Sequence, residues 1–241
     1  MELSKNHLLN FLKLKDLSGK YFLDIGCGSG LSSLAAYRLG ARKIVSFDYD
    51  QKSVDATKRL RQYVGNPEQW QVMQGSILDE AFLSKIEPAD IVYCWGVLHH
   101  TGEVWRGIDN TVKLMKPDGM MYIALYEYNV QINPTPEFWL EVKQKYVRGG
   151  WLTKRKLELW YIWTFMLAKD IHALPKVIRD IRSRKDRGME FFANLVDWLG
   201  GWPMEFVKLE DVKEWGLKKK LEIANLKYGE ANTEYLFKRA E

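Results

Sequence analysis

The chain has few cysteines, no long hydrophobic run and no sign of an export signal. Its 241 residues include two cysteines, Cys27 and Cys94, too few for a disulfide framework, so we expect two free thiols in a reducing compartment. No run of about 18 apolar residues exists, which argues against a membrane-spanning helix. The opening stretch MELSKNHLLNFLKLK lacks the apolar core of a signal peptide and predicts a short amphipathic helix. These absences favour a cytoplasmic protein and leave association with a membrane surface open.

The net charge of +5 is concentrated in one segment. Between Arg148 and Arg187 there are eleven Lys/Arg and four Asp/Glu, a net charge of +7 that leaves −2 for the rest of the chain. Six of the ten tryptophans stand at or after Trp151. The basic and aromatic character therefore belongs to one insertion and not to the whole surface.

Apolar runs alternate with helical patterns over residues 20–126. Such alternation is typical of a parallel, doubly wound sheet. Near the end, two strands joined through Tyr228-Gly229-Glu230 predict an antiparallel hairpin. We therefore expect an α/β fold: a Rossmann-like doubly wound seven-stranded sheet, mostly parallel with an antiparallel C-terminal hairpin strand, plus a helical insertion after strand 5. The predicted strands are Lys20–Ile25, Lys43–Phe47, Trp70–Gln74, Ala89–Trp95, Met120–Tyr126, Leu221–Leu226 and Thr233–Lys238, and the main predicted helices are Leu31–Leu39, Gln51–Tyr63, Val104–Met115 and Lys208–Trp215.

A single domain is expected over residues 1–241, with a helical cap inserted at residues 130–205. The break is marked by Asn133-Pro134-Thr135-Pro136, and about 60 residues of helical pattern follow it. The basic part of this insertion, residues 151–187, leaves several uses open. It could be a lid over an acceptor site, a cap with solvated charges, a contact with an anionic membrane surface, or a nucleic-acid contact.

The stretch FLDIGCGSG, residues 22–30, follows the first predicted strand and places three glycines at alternate positions. A dinucleotide-binding loop has glycine at the first, third and sixth positions. Counted from Gly26, the sixth position here is Leu31, and the third glycine, Gly30, stands at the fifth. Glycines in such a loop let the backbone approach a ligand, because a side chain at Gly26 or Gly28 would occupy the ligand's space.

The string from Asp24 to Gly30 resembles the first motif of class I S-adenosylmethionine-dependent methyltransferases. The segments QGSILD, DIVYCWGVLHHTGE and LMKPDGMMYIALY resemble later segments of that family, in the same order. The resemblance implies S-adenosylmethionine as cofactor and S-adenosylhomocysteine as product. Asp24 would then meet the methionine ammonium, Asp48 would accept bonds from the ribose hydroxyls, and Tyr49 would pack on the adenine. The expected cofactor-binding residues are Asp24, Gly26, Cys27, Gly28, Gly30, Asp48, Tyr49, Gly75, Ser76, Ile77 and Trp95.

A narrower likeness is to the bacterial UbiG-like methyltransferases of the type 11–12 group. It is carried by GCGSGLSSLAAYRLGA, SFDYDQKSV, WGVLHHTGEVW and the C-terminal block RGMEFFANLVDWLGGWPMEF. Quinol-type relatives have Glu-x-x-Glu-His after the fourth strand, a pattern that can hold a divalent metal. Here Gly96, His99 and His100 stand at those positions. Because both carboxylates are missing, no metal is predicted.

Methyl transfer is an in-line displacement that needs no covalent nucleophile, but a hydroxyl acceptor needs a base. His99 and His100 follow the fourth strand, at the carboxyl edge of the sheet where ligands bind. We expect His100 to be the base, because it matches the histidine of the quinol-type pattern, with His99 as the second candidate. The alternative is that the two histidines have no catalytic role and are polar residues that lead into the next helix, which Thr101 caps. The candidate substrate-binding residues are Tyr126, Glu127, Trp198, Trp202 and Glu205.

We therefore expect methyl transfer to a small-molecule or lipid-linked acceptor, with oxygen favoured over nitrogen. Nucleic-acid methylation is an alternative. Enzymes that methylate base nitrogens resemble one another in an Asn/Asp-Pro-Pro-aromatic string, and residues 94–97 read Cys-Trp-Gly-Val instead. Nucleic acid is therefore disfavoured as a partner. A non-catalytic cofactor-binding module is the third interpretation, and the oligomeric state is left open.

Overall fold

The computed structural model describes residues 2–130, 133–167, 191–229 and 232–240, together with residues 170, 172, 174 and 175. The chain divides into two compact units. The sheet unit comprises Met1–Gln131 and Glu205–Glu241, and the helical unit comprises Ile132–Met204. Much of the predicted 151–187 segment, from residue 168 onward, lies outside the described residues.

The described part of the sheet unit contains a seven-stranded sheet in the order β3-β2-β1-β4-β5-β7-β6. The strands are β1 (Tyr21–Ile25), β2 (Lys43–Asp48), β3 (Trp70–Gln74), β4 (Ala89–Trp95), β5 (Met115–Tyr126), β6 (Leu221–Lys227) and β7 (Asn232–Arg239). The first five pair in parallel, and β7 pairs antiparallel with both β5 and β6. This arrangement confirms the predicted fold class. The strand order reverses between β1 and β4, where doubly wound sheets bind their ligands.

Helices accompany both faces of the sheet. The helices are α1 (Glu2–Leu12), α2 (Leu31–Arg38), α3 (Gln51–Tyr63), α4 (Glu80–Leu83), α5 (Val104–Lys113), α6 (Pro136–Arg148), α7 (Trp151–Tyr161), α8 (Phe191–Gly200) and α9 (Leu209–Lys218), of which α6 to α8 belong to the helical unit. One buried cluster includes Val92, Ile108 and Ile123 and takes in α5 and α9. The other includes Phe22 and Tyr122 and takes in α1 and α2. Strands β1, β2, β4 and β5 are mostly buried on both sides, whereas β3, at the edge of the sheet, is buried only at Trp70.

The helical unit has its own aromatic core. Thr135 caps α6 by accepting a bond from the amide of Phe138, and Pro136 occupies the first turn, where its missing N–H costs nothing. The ring of Trp139, from α6, lies 5.3 Å from that of Trp198, in α8. Lys143 is buried beside them, with its ammonium 3.9 Å from the centroid of the Trp198 ring. These contacts join α6 to α8 within the unit.

Most predicted elements agree with the structure to within a few residues, and two features differ. β5 begins at Met115 rather than at Met120, because the ladder with β4 has an irregularity in which Ala89 pairs with Met115 and Ile91 with Met120. The short helix α4 was not predicted, since a single turn is too short to show a periodic pattern. As expected, Cys27 and Cys94 are free thiols, and both are buried. Within the described ranges, no helix has the length and apolar content to cross a membrane.

Candidate functional site

The three glycines of the loop between β1 and α2 share a left-handed conformation but differ in the space around them. Gly26, Gly28 and Gly30 have φ values of 70°, 53° and 81°, a left-handed region that other residues rarely adopt. A Cβ on Gly26 would lie 2.3 Å from a methyl carbon of Val97, and one on Gly30 would lie 2.9 Å from the side chain of Thr57. A Cβ on Gly28 would meet no atom within 4 Å. Gly28 therefore borders open space, as expected of a backbone that a ligand approaches.

Gly96, which follows β4, has the same property. Its φ is 75°, and a Cβ there would also meet no atom within 4 Å. Because β1 and β4 are neighbours in the sheet, Gly28 and Gly96 leave bare backbone beyond the ends of adjacent strands. This is the point at which the strand order reverses.

Asp48, at the end of β2, is hydrogen-bonded both to the glycine loop and to the turn that follows β2. Its Oδ2 accepts a hydrogen bond from the amide of Gly28 at 2.9 Å, and its Oδ1 accepts one from the amide of Asp50 at 2.9 Å. The N-cap of α3 is Asp50, whose carboxylate accepts from the amide of Ser53. Asp48 is thus free of the capping role and stays beside the glycine loop, half-buried. A carboxylate in this place can accept bonds from a vicinal diol.

Asp24 is buried beneath the loop and has a hydrogen-bond partner within the protein. Its Oδ2 accepts from the hydroxyl of Ser33, which lies 2.6 Å from the hydroxyl of Ser46. The indole N–H of Trp70 donates to that second hydroxyl at 2.8 Å. Burial raises the pKa of the Asp24 carboxyl to about 7, although the Ser33 bond acts in the opposite direction. The structure thus shows a buried polar chain that joins three strands, and the expected contact of Asp24 with a ligand ammonium stays a prediction.

We expect this carboxyl to make the free energy of unfolding fall as the pH rises from about 4 to about 7. The native chain holds the Asp24 proton up to about pH 7, whereas an ordinary aspartate, with a pKa of 3.8, loses it earlier. The native state therefore gains from proton binding at low pH and loses that gain as the pH rises, on the order of 3–4 kcal/mol. Asp24→Asn removes this contribution, so urea unfolding should show a flatter pH profile for the variant than for the wild type. Parallel profiles would contradict the prediction.

The residues expected at the adenine lie just past β3. Ile77 is buried, and its carbonyl accepts a 2.9 Å bond from the Asn110 side chain. Gly75 has no room for a side chain, because a Cβ would lie 2.2 Å from the Phe82 ring. Tyr49 follows Asp48 and is 79% exposed. Ile77, past the end of β3, and Tyr49, past the end of β2, thus provide one buried and one exposed apolar side chain.

The remaining expected cofactor-binding residues, Cys27, Ser76 and Trp95, differ in burial and in hydrogen bonding. Burial raises the pKa of the Cys27 thiol to about 12, so it is neutral and not a nucleophile. Thr57 donates to the carbonyl of Gly28 at 2.9 Å and to the Cys27 sulfur at 3.4 Å, which holds the loop from the α3 side. The hydroxyl of Ser76 accepts from the amide two residues further on. Trp95 is half-buried at the end of β4.

His99 and His100 lie on a short 3₁₀ turn, Leu98–His100, close to Tyr126 at the end of β5. His99 is buried, and its Nδ1 accepts from the amide of Tyr126 at 3.3 Å. That bond assigns the proton of a neutral ring to Nε2. The His99 ring centroid is 3.8 Å from that of Tyr126, and the His100 ring stands at 89° to the Tyr126 ring, 5.5 Å away. The structure brings the three predicted residues together, with His99 inside and His100 half-buried.

Glu127 and Glu205 are engaged at helix starts. Glu127 accepts from the amide of Leu209, the first residue of α9, at 3.1 Å, and from the hydroxyl of Tyr235 at 3.4 Å. Glu205 accepts from the amide of Val104, the first residue of α5, at 3.0 Å. Burial raises the pKa of both carboxyls, against the effect of the amide donors. These contacts explain both residues as helix caps, and their predicted contact with an acceptor stays a prediction without a geometric basis.

The two tryptophans predicted to bind the acceptor belong to the helical unit. Trp198 packs against Trp139 and Lys143, as described above, and so forms part of that unit's core. Trp202 is exposed. Of the pair, Trp202 keeps a ring surface that could contact another molecule, and the role of both stays a prediction.

Three residues that shape the loop were not singled out from the sequence. Val97 fills the space beside Gly26, Thr57 bonds the Gly28 carbonyl, and Ser33 binds Asp24. Thr57 and Ser33 are polar residues on the inward faces of α3 and α2, and a buried polar residue on a helix is a usable signal. Nothing in the sequence marked Val97, because its contact with Gly26 joins two residues that are far apart in the chain.

Comparison with known proteins gives a family match and relatives of partial coverage. Residues 23–121 match a family described as a methyltransferase domain. The ribosomal protein L11 methyltransferase of Vibrio vulnificus (strain CMCP6) is 33% identical over 116 residues, which cover 48% of this chain and 37% of the relative. The ubiquinone biosynthesis O-methyltransferase of Coxiella burnetii (strain Dugway 5J108-111) is 31% identical over 131 residues, or 51% of this chain and 53% of the relative. The chain thus spans between about a third and about half of the length of these relatives.

A solved structure matches over nearly the whole chain. The magnesium protoporphyrin IX methyltransferase from Synechocystis PCC 6803, crystallised with bound S-adenosylmethionine, has a TM-score of 0.58 at 12% identity and covers 99% of this chain and 79% of that one. At this identity the likeness shows the fold. The Coxiella relative gives weak support to the narrower UbiG-like resemblance. Residues 23–121 are thus similar in sequence to a methyltransferase domain, and the glycine loop between β1 and α2 lies within that match.

Proposed function

We propose that this chain transfers a methyl group from S-adenosylmethionine to a small-molecule or lipid-linked acceptor, with an oxygen acceptor favoured over nitrogen. S-adenosylmethionine is the cofactor that a methyltransferase domain implies. The observation that carries the proposal is the bare backbone at Gly28, which is bonded to the carboxylate of Asp48, with a second bare position at Gly96 past the neighbouring strand. Open space, a diol-binding acid and left-handed glycines at the switch point are what an adenosine ligand requires.

The described residues fit the parts of this cofactor. Gly28 has open space where the methionine portion would lie, and Asp48 would accept bonds from the ribose hydroxyls. Ile77 and Tyr49 offer apolar surfaces for the adenine. Asp24, under the loop, would be driven toward its ionised form by a nearby ammonium, because opposite charge lowers a carboxyl pKa.

When bound, the cofactor supplies an electrophilic methyl carbon on a sulfonium. The residues of the chain must orient the acceptor in line with it, and orientation of this kind contributes about 7–11 kcal/mol. We assign His100 as the base that takes the proton of a hydroxyl acceptor. His99, fixed by the amide of Tyr126, would hold the turn that carries His100.

A nitrogen acceptor is the main alternative, since the Vibrio relative is named as a methyltransferase of ribosomal protein L11. An amine acceptor can react by positioning alone, without a base. Nucleic-acid methylation is disfavoured by the Cys-Trp-Gly-Val sequence at residues 94–97. A non-catalytic module would bind the cofactor and give no product with any acceptor.

The test of the cofactor is calorimetric titration of the full chain with S-adenosylhomocysteine and, separately, with NAD. Binding of S-adenosylhomocysteine alone supports the proposal and justifies a search for the acceptor with labelled methyl donor in cell extract. Binding of NAD alone would overturn it. A chain that binds neither ligand would also contradict it.

Asp48→Asn should weaken S-adenosylhomocysteine binding by about tenfold to a hundredfold. The amide keeps the side chain's shape but loses the charge that strengthens bonds from both ribose hydroxyls, a loss of about 1.5–3 kcal/mol. Asp50→Asn is the matched control, because Asp50 lies in the same turn and asparagine is also a good N-cap. Equal affinities for Asp48→Asn and the control would refute the ribose assignment.

A further inference from the structure

The outer face of α7 exposes large apolar side chains. Trp151, Leu152 and Leu159 are 69%, 65% and 67% exposed, and Trp163, in the π-helical turn that continues α7, is 43% exposed. Side chains of this size usually gain about 1.5–3 kcal/mol each from burial. Their exposure on one helix marks a surface that is suited to contact with another apolar phase.

These residues share one side of the helix with two basic residues. The positions 152, 155, 156, 159 and 163 follow a three-and-four spacing, which places them on one face. We call Trp151, Leu152, Arg155, Lys156, Leu159 and Trp163 the α7 face. No acidic residue lies on it. Glu158, three residues after Arg155, is buried against Tyr146 of α6, whose hydroxyl it accepts from at 2.7 Å, and it also accepts from Arg155 at 2.6 Å, so the charge of Arg155 is paired.

A basic groove lies beside this face, between α6 and α7. It has a volume of about 360 Å³, and its lining includes Lys145, Arg148, Thr153 and Leu157. Lys145 and Arg148 are exposed at the end of α6. Two cationic side chains and a hydroxyl donor are the groups that bind a phosphate.

We propose that the α7 face docks onto a membrane surface of anionic phospholipids. The leucines and tryptophans enter the boundary between headgroups and acyl chains, where tryptophan is favoured. Lys156, with Lys145 and Arg148 in the adjoining groove, meets the lipid phosphates. With 11 residues, α7 is too short to span a bilayer and lies in its interface. The proposal does not depend on the methyl-transfer proposal, because none of these residues belongs to the glycine loop.

The charge of the face argues against other occupants. A second copy of the chain would bring Lys156 against its own equivalent across a two-fold axis, while the carboxylate of Glu158 is already paired with Arg155. A nucleic acid would match the charge and could stack on tryptophan, but it would leave Leu152 and Leu159 exposed. An anionic lipid surface satisfies the aliphatic, aromatic and basic residues at once.

The test is flotation of the full chain with two kinds of vesicle, phosphatidylcholine alone and phosphatidylcholine mixed with phosphatidylglycerol. The wild type should float with the mixed vesicles, and added salt should reduce the bound fraction. Lys156→Glu should weaken binding by at least about tenfold, because it reverses a charge at the surface. Leu159→Ser should weaken it by about tenfold through lost apolar burial.

Two substitutions on α9 are matched controls. Leu217, 75% exposed, and Lys213, also exposed, lie one turn apart on that helix, so Leu217→Ser and Lys213→Glu repeat the same chemistry elsewhere. Thermal unfolding checks that the variants fold. If Leu159→Ser does not fold, Lys156→Glu alone tests the membrane proposal. Calorimetry with S-adenosylhomocysteine reports on the cofactor site separately.

Loss of flotation in the α7 variants with retention in both controls would support the proposal. Absence of wild-type flotation, equal flotation with neutral vesicles, or equal behaviour of the α7 and α9 variants would overturn it. So would binding to labelled single-stranded nucleic acid that Lys156→Glu abolishes and Leu159→Ser leaves intact, with no vesicle binding. That result would assign the face to nucleic acid.

Discussion

Gly28→Val is expected to lower the affinity for S-adenosylhomocysteine by about a hundredfold. A Cβ at Gly28 meets no protein atom within 4 Å, so the new side chain projects into the space that we assign to the ligand. The affinity loss corresponds to about 3 kcal/mol, within the cost of forcing extra carbon atoms into a filled site. Calorimetric titration of the variant and the wild type measures it.

Gly65→Val is the control that separates ligand clash from backbone strain. Gly65 has φ 87°, and a Cβ there would also meet no atom within 4 Å, but it lies in the turn between α3 and β3. Both variants place a β-branched residue in the left-handed region, so both should lose about 1–2 kcal/mol of unfolding free energy. Only Gly28→Val should lose the ligand. Equal affinities in the two variants would disprove our placement of the ligand at the glycine loop.

The sheet was predictable because most of its parallel strands are buried on both faces. A strand such as Ala89–Trp95 shows as an unbroken apolar run, and the polar or glycine residue after it marks its end. The carboxyl ends of parallel strands share one edge, so chain order alone placed Asp48, His99 and Tyr126 at the same edge of the sheet. The fold was therefore accessible from the sequence, and the site at this edge stays a prediction.

The direction in which individual carboxylates point was not predictable. Glu127 and Glu205 find partners in the backbone amides of Leu209 and Val104, and an amide leaves no mark in the sequence. For Glu205, the partner Val104 is about a hundred residues away in the chain, too far for any local capping pattern to show the contact. A glutamate next to a strand end thus looks the same whether it meets a ligand or a helix.

Asp24 illustrates the same limit in the core. The acid was correctly placed next to the loop, but its hydrogen-bond partner depends on how α2 packs over β1 and β2. Ser33 belongs to a helix whose sequence, LSSLAAYR, has small residues on more than one side. Because the inward face was ambiguous, the pattern could not assign Ser33 to the carboxylate.

His100→Ala is expected to reduce methyl transfer by about a hundredfold to ten-thousandfold, the usual contribution of a general base. The substitution should leave S-adenosylhomocysteine binding unchanged, since His100 contacts the rings of His99 and Tyr126 rather than the glycine loop. The assay is incorporation of labelled methyl groups into the acceptor fraction of a cell extract, with calorimetry as the parallel measurement.

His172→Ala is the matched control, because His172 is an exposed histidine of the helical unit with no predicted role.

His99→Ala is a different case. It removes the acceptor of the Tyr126 amide and leaves a buried donor unpaired, which costs about 1–3 kcal/mol of stability. A positioning role for His99 would therefore lower the melting temperature together with the rate, whereas the base should lower the rate alone.

The outcome for His100 also decides between the two kinds of acceptor. A hydroxyl holds its proton at neutral pH and must give it up as the methyl group arrives, so its methylation depends on a base. An amine that is already neutral reacts through its lone pair and needs orientation only. If His100→Ala keeps the wild-type rate while Gly28→Val loses it, the base assignment fails but methyl transfer stands. The acceptor is then an amine or a group that is already ionised, and the aromatic cluster of His99, His100 and Tyr126 acts as a wall that aligns it.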